Sequence, residues 1–256
     1  MAATAQRDGS TQNGSTIDPA EVARFEAIAK TWWDPKGPMA VLHKFNPVRL
    51  AFIRDLACAR FGRDPKTMRA LDGLTLVDIG CGGGVLCEPL ARLGAQVSGL
   101  DPAPTNIAVA SAHAEASGLV IDYRQQTIEA LVAEGARYDI VLAMEVVEHV
   151  SDVEIFVAAS CAAVKPGGLL VMATLNRTLK SYALAIVGAE YVLRWLPRGT
   201  HDWEKFVTPD ELGDAIERGG LELGDSTGVV YNPFTDRWSA ARDMDVNYML
   251  AAQRPA

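Results

Sequence analysis

The stretch Val77–Gly84, with the sequence Val-Asp-Ile-Gly-Cys-Gly-Gly-Gly, decides the fold of this chain. An apolar strand ends at Gly80, and a helix-compatible run, Val85–Leu93, follows the loop. Glycines let the backbone turn tightly and bring a ligand against main-chain N–H groups. About twenty residues past Gly80, a second strand ends in Asp101, where a carboxylate can accept both hydroxyls of a ribose. The two features together predict a nucleotide-type binding site.

The spacing of the glycines indicates which nucleotide binds. A dinucleotide loop needs a third small residue where Val85 stands, and here the glycines crowd forward as Gly80-x-Gly82-x-Gly84. Asp78 also disfavours NAD, because a carboxylate repels a phosphate but attracts a sulfonium with an ammonium group. We therefore predict Asp78, Gly80 and Gly82 as cofactor-binding residues. The loop resembles the first motif of S-adenosylmethionine-dependent methyltransferases, and the alternative is a tight structural turn.

The length and the net charge of the chain limit the possible folds and functions. The chain has 256 residues, a formal net charge of −8 and a pI near 5.1, which suits one large α/β domain and disfavours nucleic-acid binding. Residues 1–16 are rich in Ala, Ser, Thr, Gln and Gly, and we expect a disordered leader there. Residues 17–256 should form a single domain. The four cysteines show no metal-type spacing, which fits a reducing, intracellular compartment.

Two helices should precede the sheet, within residues 17–70. The segment Asp18–Glu21 supplies a helix cap, a proline at the first position and a glutamate in the capping-box place. A second capped helix should start at Asn46. Between them lie Trp32 and Trp33, which are costly to leave in water, so they either pack on the core or cover a pocket.

From Leu74 onward, strand and helix patterns alternate. Alternation of this kind predicts a mostly parallel sheet with helices on both faces and a ligand at the carboxyl ends of the strands. The expected strands are seven: 76–79, 96–100, 121–124, 138–144, 169–175, 222–227 and 246–253. The expected helices are 85–93, 105–117, 128–134, 153–164 and 208–218.

A helical insertion, residues 177–206, should follow the fifth strand. It combines apolar and aromatic residues with Arg177, Lys180, Arg194 and Arg198. One interpretation is an extra core helix. The other is a lid or interfacial helix, because apolar groups beside cations suit anionic headgroups and a greasy substrate.

Several motifs, some narrow and one common to many methyltransferases, resemble those of the ubiquinone-biosynthesis O-methyltransferases. The similarity runs from about residue 17 to the end of the chain. The motifs that carry it are Trp32-Trp-Asp34, Asn46-Pro-Val-Arg49, Glu145-Val-Val-Glu-His149, Lys165-Pro-Gly-Gly168, Gly199-Thr-His-Asp202 and Asp245-Val-Asn-Tyr-Met249.

This resemblance implies a Rossmann-like class I methyltransferase fold and S-adenosylmethionine as methyl donor. The implied substrates are two polyprenylated phenols, 2-polyprenyl-6-hydroxyphenol and 3-demethylubiquinol. The implied cofactor contacts are Arg49, Gly80, Asp101 and Met144. Arg49 can form a two-pronged pair with the methionine carboxylate, and Met144 offers soft apolar contact near the donor.

The adenine should lie over Thr127 and Ile128, after the third strand. Many methyltransferases have an aspartate followed by a small residue at this place, whereas this chain has Thr127. The partner of the adenine amino group is therefore left open by the sequence.

Glu145, Glu148 and His149 form a second cluster, directly after the fourth strand. An acid-x-x-acid-His run suits either a hard divalent cation such as Mg²⁺, which some family members require, or a histidine base oriented by carboxylates. A phenol is a poor nucleophile at neutral pH, so either arrangement would assist its ionisation. The alternative is a structural histidine with solvated acids.

Two other classes of function compete with this prediction. An NAD-dependent oxidoreductase would need a small residue at position 85, and a non-catalytic subunit of a lipid-bound assembly would not bind the cofactor. As partners we expect the polyprenylated substrate, an anionic membrane surface and other ubiquinone-biosynthesis proteins. The expected location is cytoplasmic, at the inner face of the cytoplasmic membrane.

Overall fold

The computed structural model describes residues 15–183 and 203–256, and the strands in these ranges form one sheet. They are β1 (Thr75–Ile79), β2 (Gln96–Leu100), β3 (Asp122–Arg124), β4 (Tyr138–Met144), β5 (Val164–Leu175), β6 (Glu222–Asn232), β7 (Arg237–Ala241) and β8 (Asn247–Gln253). Their order is β3-β2-β1-β4-β5-β8-β6-β7. The first five run parallel, and β8, β6 and β7 pair antiparallel.

Helices cover both faces of the sheet, which confirms the predicted α/β class. The helices are α1 (Pro19–Ile28), α2 (Ala40–Phe61), α3 (Cys87–Arg92), α4 (Pro104–Ala116), α5 (Ile128–Ala133), α6 (Val153–Ala162), α7 (Leu179–Ser181) and α8 (Pro209–Arg218). Side chains on a strand alternate between its two faces. Accordingly, Val77 and Val141 belong to one core with α5, α6 and α8, whereas Leu76 and Ile140 belong to another with α2 and α3.

The prediction of seven strands was wrong by one. β6 extends to Asn232 rather than Thr227 and turns back into β7, which the sequence analysis missed. β7 is mostly exposed and lies at the edge of the sheet, so it lacks the buried, apolar pattern that marks a strand in a sequence.

The N-terminal helices differ from the prediction in their bounds. Asp18 caps α1 as expected, its carboxylate accepting from Ala20 N at 3.0 Å. However, α2 begins at Ala40, Pro47 lies inside it, and the Asn46 side chain donates to Val85 O at 2.9 Å instead of capping a helix. Thr16 is 4% exposed and is therefore part of the folded domain, although the predicted leader included it.

Two predicted segments fall largely outside the described residues. Of the leader, residues 1–14 lie outside them, and so do residues 184–202 of the insertion, including Arg194 and Arg198. The described ends of the insertion touch each other, because Trp203 Nε1 donates to Thr178 O at 3.0 Å. Within the described ranges, no helix combines the length and apolar character that crossing a bilayer requires.

Candidate active site

A cavity of about 660 Å³ lies at the carboxyl ends of the central parallel strands. Because parallel strands end at the same edge, residues distant in sequence meet there. All the residues predicted for cofactor binding or catalysis line this cavity: Arg49, Asp78, Gly80, Gly82, Asp101, Thr127, Ile128, Met144, Glu145, Glu148 and His149.

The glycine loop is covered by the tryptophan pair. Gly82 has φ +54°, and a Cβ there would lie 2.3 Å from the Trp32 ring. Trp32 Nε1 donates to Asn106 Oδ1 at 2.9 Å, and Trp33 Nε1 donates to Gly83 O at 2.8 Å. Trp32 is buried and also lines the cavity. The two sequence interpretations, core packing and pocket cover, are therefore both correct for Trp32.

Asp101 ties the loop to the end of β2. Its Oδ2 accepts from Gly82 N at 3.0 Å, and its Oδ1 accepts from Ala103 N at 2.9 Å and Asn106 Nδ2 at 3.1 Å. A carboxylate offers about four acceptor positions, so capacity remains for a ribose hydroxyl. Burial raises the pKa of Asp101.

Asp78 is a buried carboxyl group at the cavity wall. It is 3% exposed, and Cys87 Sγ donates to its Oδ2 at 3.2 Å. Burial raises its pKa from 3.8 to about 7. A ligand ammonium group would favour the charged form and supply the counter-charge. The site therefore suits a cationic cofactor, as the loop sequence predicted.

Arg49 is a buried cation from the middle of α2. It is 4% exposed, its guanidinium lies 4.0 Å from the Phe45 ring centroid, and its Nη2 lies 2.9 Å from Glu145 Oε1. Its Nε is buried and has no hydrogen-bond partner. An arginine with a spare buried donor fits a cofactor carboxylate.

The cavity wall at Thr127 and Ile128, where the sequence predicted the adenine, also holds an acid that was not recognised in the sequence. Thr127 caps α5, with its Oγ1 accepting from Ala130 N at 3.2 Å. Beside it, Glu129 Oε1 accepts from Thr16 Oγ1 at 2.6 Å, while Glu129 Oε2 is buried without a partner. The sequence offered no signal, because Thr16 is 113 residues away.

Glu145, Glu148 and His149 have separate partners. Glu145, which has φ +60°, binds Arg49. Glu148 Oε2 accepts from Thr174 Oγ1 at 2.7 Å, and His149 Nδ1 lies 2.9 Å from Glu21 Oε2. In the described ranges, no group of three His, Cys, Asp or Glu side chains is arranged to hold a metal ion.

Two polar residues of the cavity went unrecognised in the sequence. Glu21, which the sequence placed only in the capping-box position of α1, is bonded to His149 and lines the cavity. Asn247 is 7% exposed and donates from Nδ2 to Glu145 Oε1 at 3.3 Å, and its Oδ1 has no partner. The motif Asp245–Met249 contained Asn247 but did not indicate its role.

Known proteins resemble this chain in sequence and in fold. A family model described as a methyltransferase domain matches residues 77–172. The solved structure of magnesium protoporphyrin IX methyltransferase from Synechocystis PCC 6803 with bound SAH has a TM-score of 0.62 and 19% identity, over 91% of this chain and 94% of that one. At that identity, the likeness concerns the fold.

Closer relatives define the family. The ubiquinone biosynthesis O-methyltransferase of Methylobacterium sp. (strain 4-46) is 69% identical over 247 residues, which is 96% of this chain and 99% of that one. The protein of the same name from Brucella anthropi is 60% identical over 242 residues, covering 94% and 98%. The cavity suits the cationic methyl donor, and the relatives match over nearly their full length. The chain is therefore an S-adenosylmethionine-dependent enzyme and belongs to the ubiquinone biosynthesis O-methyltransferase family.

Proposed function

We propose that the protein methylates a phenolic hydroxyl of polyprenylated ubiquinone precursors, 2-polyprenyl-6-hydroxyphenol and 3-demethylubiquinol. One observation carries the proposal beyond family membership. Glu148 is 3% exposed, lines the cavity, and has a buried Oε1 without a hydrogen-bond partner. A buried acceptor of this kind is costly unless a ligand donates to it, and a phenol hydroxyl is such a donor.

The cofactor would be held by four residues in a row along the ends of neighbouring strands: Arg49 of α2 beside the end of β4, Asp78 in β1, Asp101 after β2 and Glu129 of α5 after β3. Arg49 takes the carboxylate, Asp78 faces the ammonium group and Asp101 takes the ribose. Glu129 Oε2 accepts from the adenine amino group, which supplies the partner that Thr127 leaves open. S-adenosylmethionine supplies a sulfonium methyl group that a phenolate can attack in line. Neighbouring strands lie roughly 4.8 Å apart, so β4, β1, β2 and β3 span the length of such a ligand.

Glu148 is the proposed proton acceptor for the phenol. Burial raises its pKa above the ordinary range, and the nearby Glu145 carboxylate adds to this shift. A base whose pKa lies nearer to neutrality accepts a proton more effectively in the transition state. Thr174 fixes one carboxylate oxygen at 2.7 Å, so the other is left for the substrate. His149, held by Glu21, is the alternative base.

A magnesium ion at Glu145, Glu148 and His149 is the second proposal for this cluster. The donor set and the unpaired Glu148 Oε1 support it. Binding of the ion would require Glu145 to release Arg49 and His149 to release Glu21. No step of the proposed proton transfer depends on the ion.

The segment 177–206 is proposed as lid and membrane contact, which would place the enzyme at the inner face of the cytoplasmic membrane beside other ubiquinone-biosynthesis proteins. A polyprenyl tail partitions into a bilayer, so the enzyme must meet its substrate at the surface or extract it. The described start of the segment supports this proposal. Leu179 is 83% exposed and Tyr182 48% exposed, while Lys180 between them lines the cavity.

Methyl transfer to short-chain analogues of the two phenols tests the proposed function. The assay uses S-adenosylmethionine with and without a chelator, and mass spectrometry detects the methylated product. Transfer to either analogue supports the proposal, and chelator sensitivity would support the ion. Tight binding of S-adenosylhomocysteine without any transfer would contradict it.

A further inference from the structure

Asn247 occupies a rigid position in the cavity wall beside Glu145, where methyl transfer is proposed. It is the first residue of β8, paired with Leu175 of β5 and with Val229 of β6. All three residues line the cavity. Because β8 has a strand on each side, the Asn247 backbone is fixed, and its side chain, 7% exposed, has little freedom.

The orientation of the Asn247 amide is set by a carboxylate. Nδ2 donates to Glu145 Oε1 at 3.3 Å, and Arg49 holds the same oxygen at 2.9 Å. Flipping the amide would turn its oxygen toward the carboxylate, which is repulsive. Oδ1 therefore remains an acceptor, and it is buried without a hydrogen-bond partner.

Besides Glu129 Oε2, which is assigned to the adenine, two unsatisfied acceptors thus belong to the cavity wall near Glu145. The other is Glu148 Oε1, whose carboxylate is fixed by Thr174, the residue next to Leu175. Buried acceptors are normally satisfied, so two in a ligand cavity indicate a ligand with two donors. Both proposed substrates carry a hydroxyl next to the one that is methylated, so an aromatic 1,2-diol meets this requirement.

We propose that Asn247 Oδ1 accepts the hydrogen bond of the neighbouring, unmethylated hydroxyl and thereby determines specificity. This inference rests on the proposed function for the assignment of the reacting hydroxyl to Glu148. Asn247 then also limits the reaction to one methyl group. The product carries a methoxy group beside its remaining hydroxyl, and a second transfer would place that methoxy oxygen, which cannot donate, against Asn247 Oδ1.

The chemical balance of the second transfer is the same as that of the first. The remaining hydroxyl would lose its proton to Glu148, its oxygen would bond the methyl carbon, and the carbon–sulfur bond of a second S-adenosylmethionine would break. Asn247 does not take part in these bonds. It discriminates only by offering an acceptor where the mono-methylated product has no donor.

Binding to the enzyme saturated with S-adenosylhomocysteine tests the inference without turnover. Calorimetry compares a 3-alkylcatechol, the corresponding 2-alkylphenol and the 2-alkyl-6-methoxyphenol. The wild-type protein should bind the catechol roughly ten-fold or more tightly than the other two, and Asn247→Leu should remove this preference. Retention of the preference in Asn247→Leu, or an equal loss for all three ligands, would overturn the assignment.

A matched control comes from the end of the adjacent strand. Asn176 is also buried, at 8% exposure, but its Nδ2 donates to Met244 O and it does not line the cavity. Asn176→Leu should keep the catechol preference. If Asn247→Leu does not fold, as judged by thermal unfolding, Asn247→Ala removes the amide without adding bulk and takes its place.

Product analysis supplies a measurement that would not change if Asn247 had only a structural role. With the catechol and excess S-adenosylmethionine, the wild-type enzyme should stop at one methyl group, and Asn247→Leu should accumulate the dimethoxy product. Strict mono-methylation by an active Asn247→Leu would overturn the inference. A wild-type enzyme that prefers the catechol in binding but transfers no methyl group would instead contradict the proposed function while supporting the Asn247 contact.

Discussion

Arg49 Nη2 and Glu145 Oε1 lie 2.9 Å apart, so the predicted anchor of the cofactor carboxylate is bound to a predicted catalytic acid. The pair joins the middle of α2 to the end of β4 at a site that is 5% exposed on the arginine side. Two carboxylates, one from the protein and one from the cofactor, can therefore compete for one guanidinium.

The first prediction concerns this competition. Arg49→Ala should weaken S-adenosylhomocysteine binding roughly ten-fold or more, because a charge-assisted hydrogen bond is lost. Glu145→Gln should bind the same ligand at least as tightly as the wild type, because the competing charge is gone. Calorimetric titration measures both. Equal weakening in the two variants would show that the pair is structural.

The Asp78 carboxylate should lower the free energy of unfolding at high pH while it strengthens cofactor binding. Its folded-state pKa of about 7 lies above the ordinary 3.8, so the folded protein holds an extra proton between these values. The stability that this proton contributes is complete below about pH 4 and is lost as the pH rises through 7. Asp78→Asn should therefore unfold at a higher temperature than the wild type at pH 8, by roughly 3 °C or more, with the difference shrinking toward pH 4.

The same substitution should weaken S-adenosylhomocysteine binding at pH 8, since the counter-charge to the ammonium group is removed. Asp122→Asn, which changes an exposed acid on β3, is the control and should alter neither property. An Asp78→Asn protein that binds the ligand normally would contradict the role of Asp78.

Glu148→Gln tests the proposed base. It keeps an acceptor for Thr174 but cannot take a proton, so turnover should fall on the order of 100-fold, with cofactor affinity nearly unchanged. Steady-state kinetics with the short-chain phenols measures the loss. An active Glu148→Gln beside an inactive His149→Ala would assign the proton to His149, and full activity in both would make the cluster structural.

Glu129 should recognise the adenine amino group. The wild type should bind S-adenosylhomocysteine more tightly than its hypoxanthine analogue, which carries a carbonyl acceptor instead of the amino donor. Glu129→Leu should reduce this preference roughly ten-fold. Glu134→Gln, at an exposed acid just past α5, is the control. An unchanged preference in Glu129→Leu would leave the amino group to another partner.

The insertion should mediate reversible membrane attachment. Each basic residue near an anionic surface contributes only about 1 kcal/mol, which salt weakens. Replacing Arg194 and Arg198 with Glu should therefore abolish co-sedimentation with anionic vesicles at low salt and impair long-chain substrates while sparing water-soluble ones. Arg63→Glu with Arg69→Glu makes the same charge change elsewhere as the control. Unchanged vesicle binding would reduce the segment to a core helix.

Local sequence patterns determined the parallel part of the sheet. Alternating strand and helix patterns fixed the parallel strands β1 to β5, because a buried strand and a capped helix each leave a continuous local signal. The glycine spacing and Asp78 indicated the cofactor because they also lie within one short, continuous stretch of sequence. The exposed edge strand β7 left no such signal, and α2 was misplaced because Asn46 and Pro47 look like a helix start while they lie inside a longer helix.

Only the tertiary structure decided which partners the site residues have. Trp32 lies over Gly82, Glu21 holds His149, Thr16 holds Glu129, and Asn247 holds Glu145. These contacts join residues that are from 50 to 128 positions apart in the chain. A local sequence pattern does not extend over such separations. A hydrogen bond depends on the position of two atoms in space, and the sheet brings those atoms together at the ends of its strands.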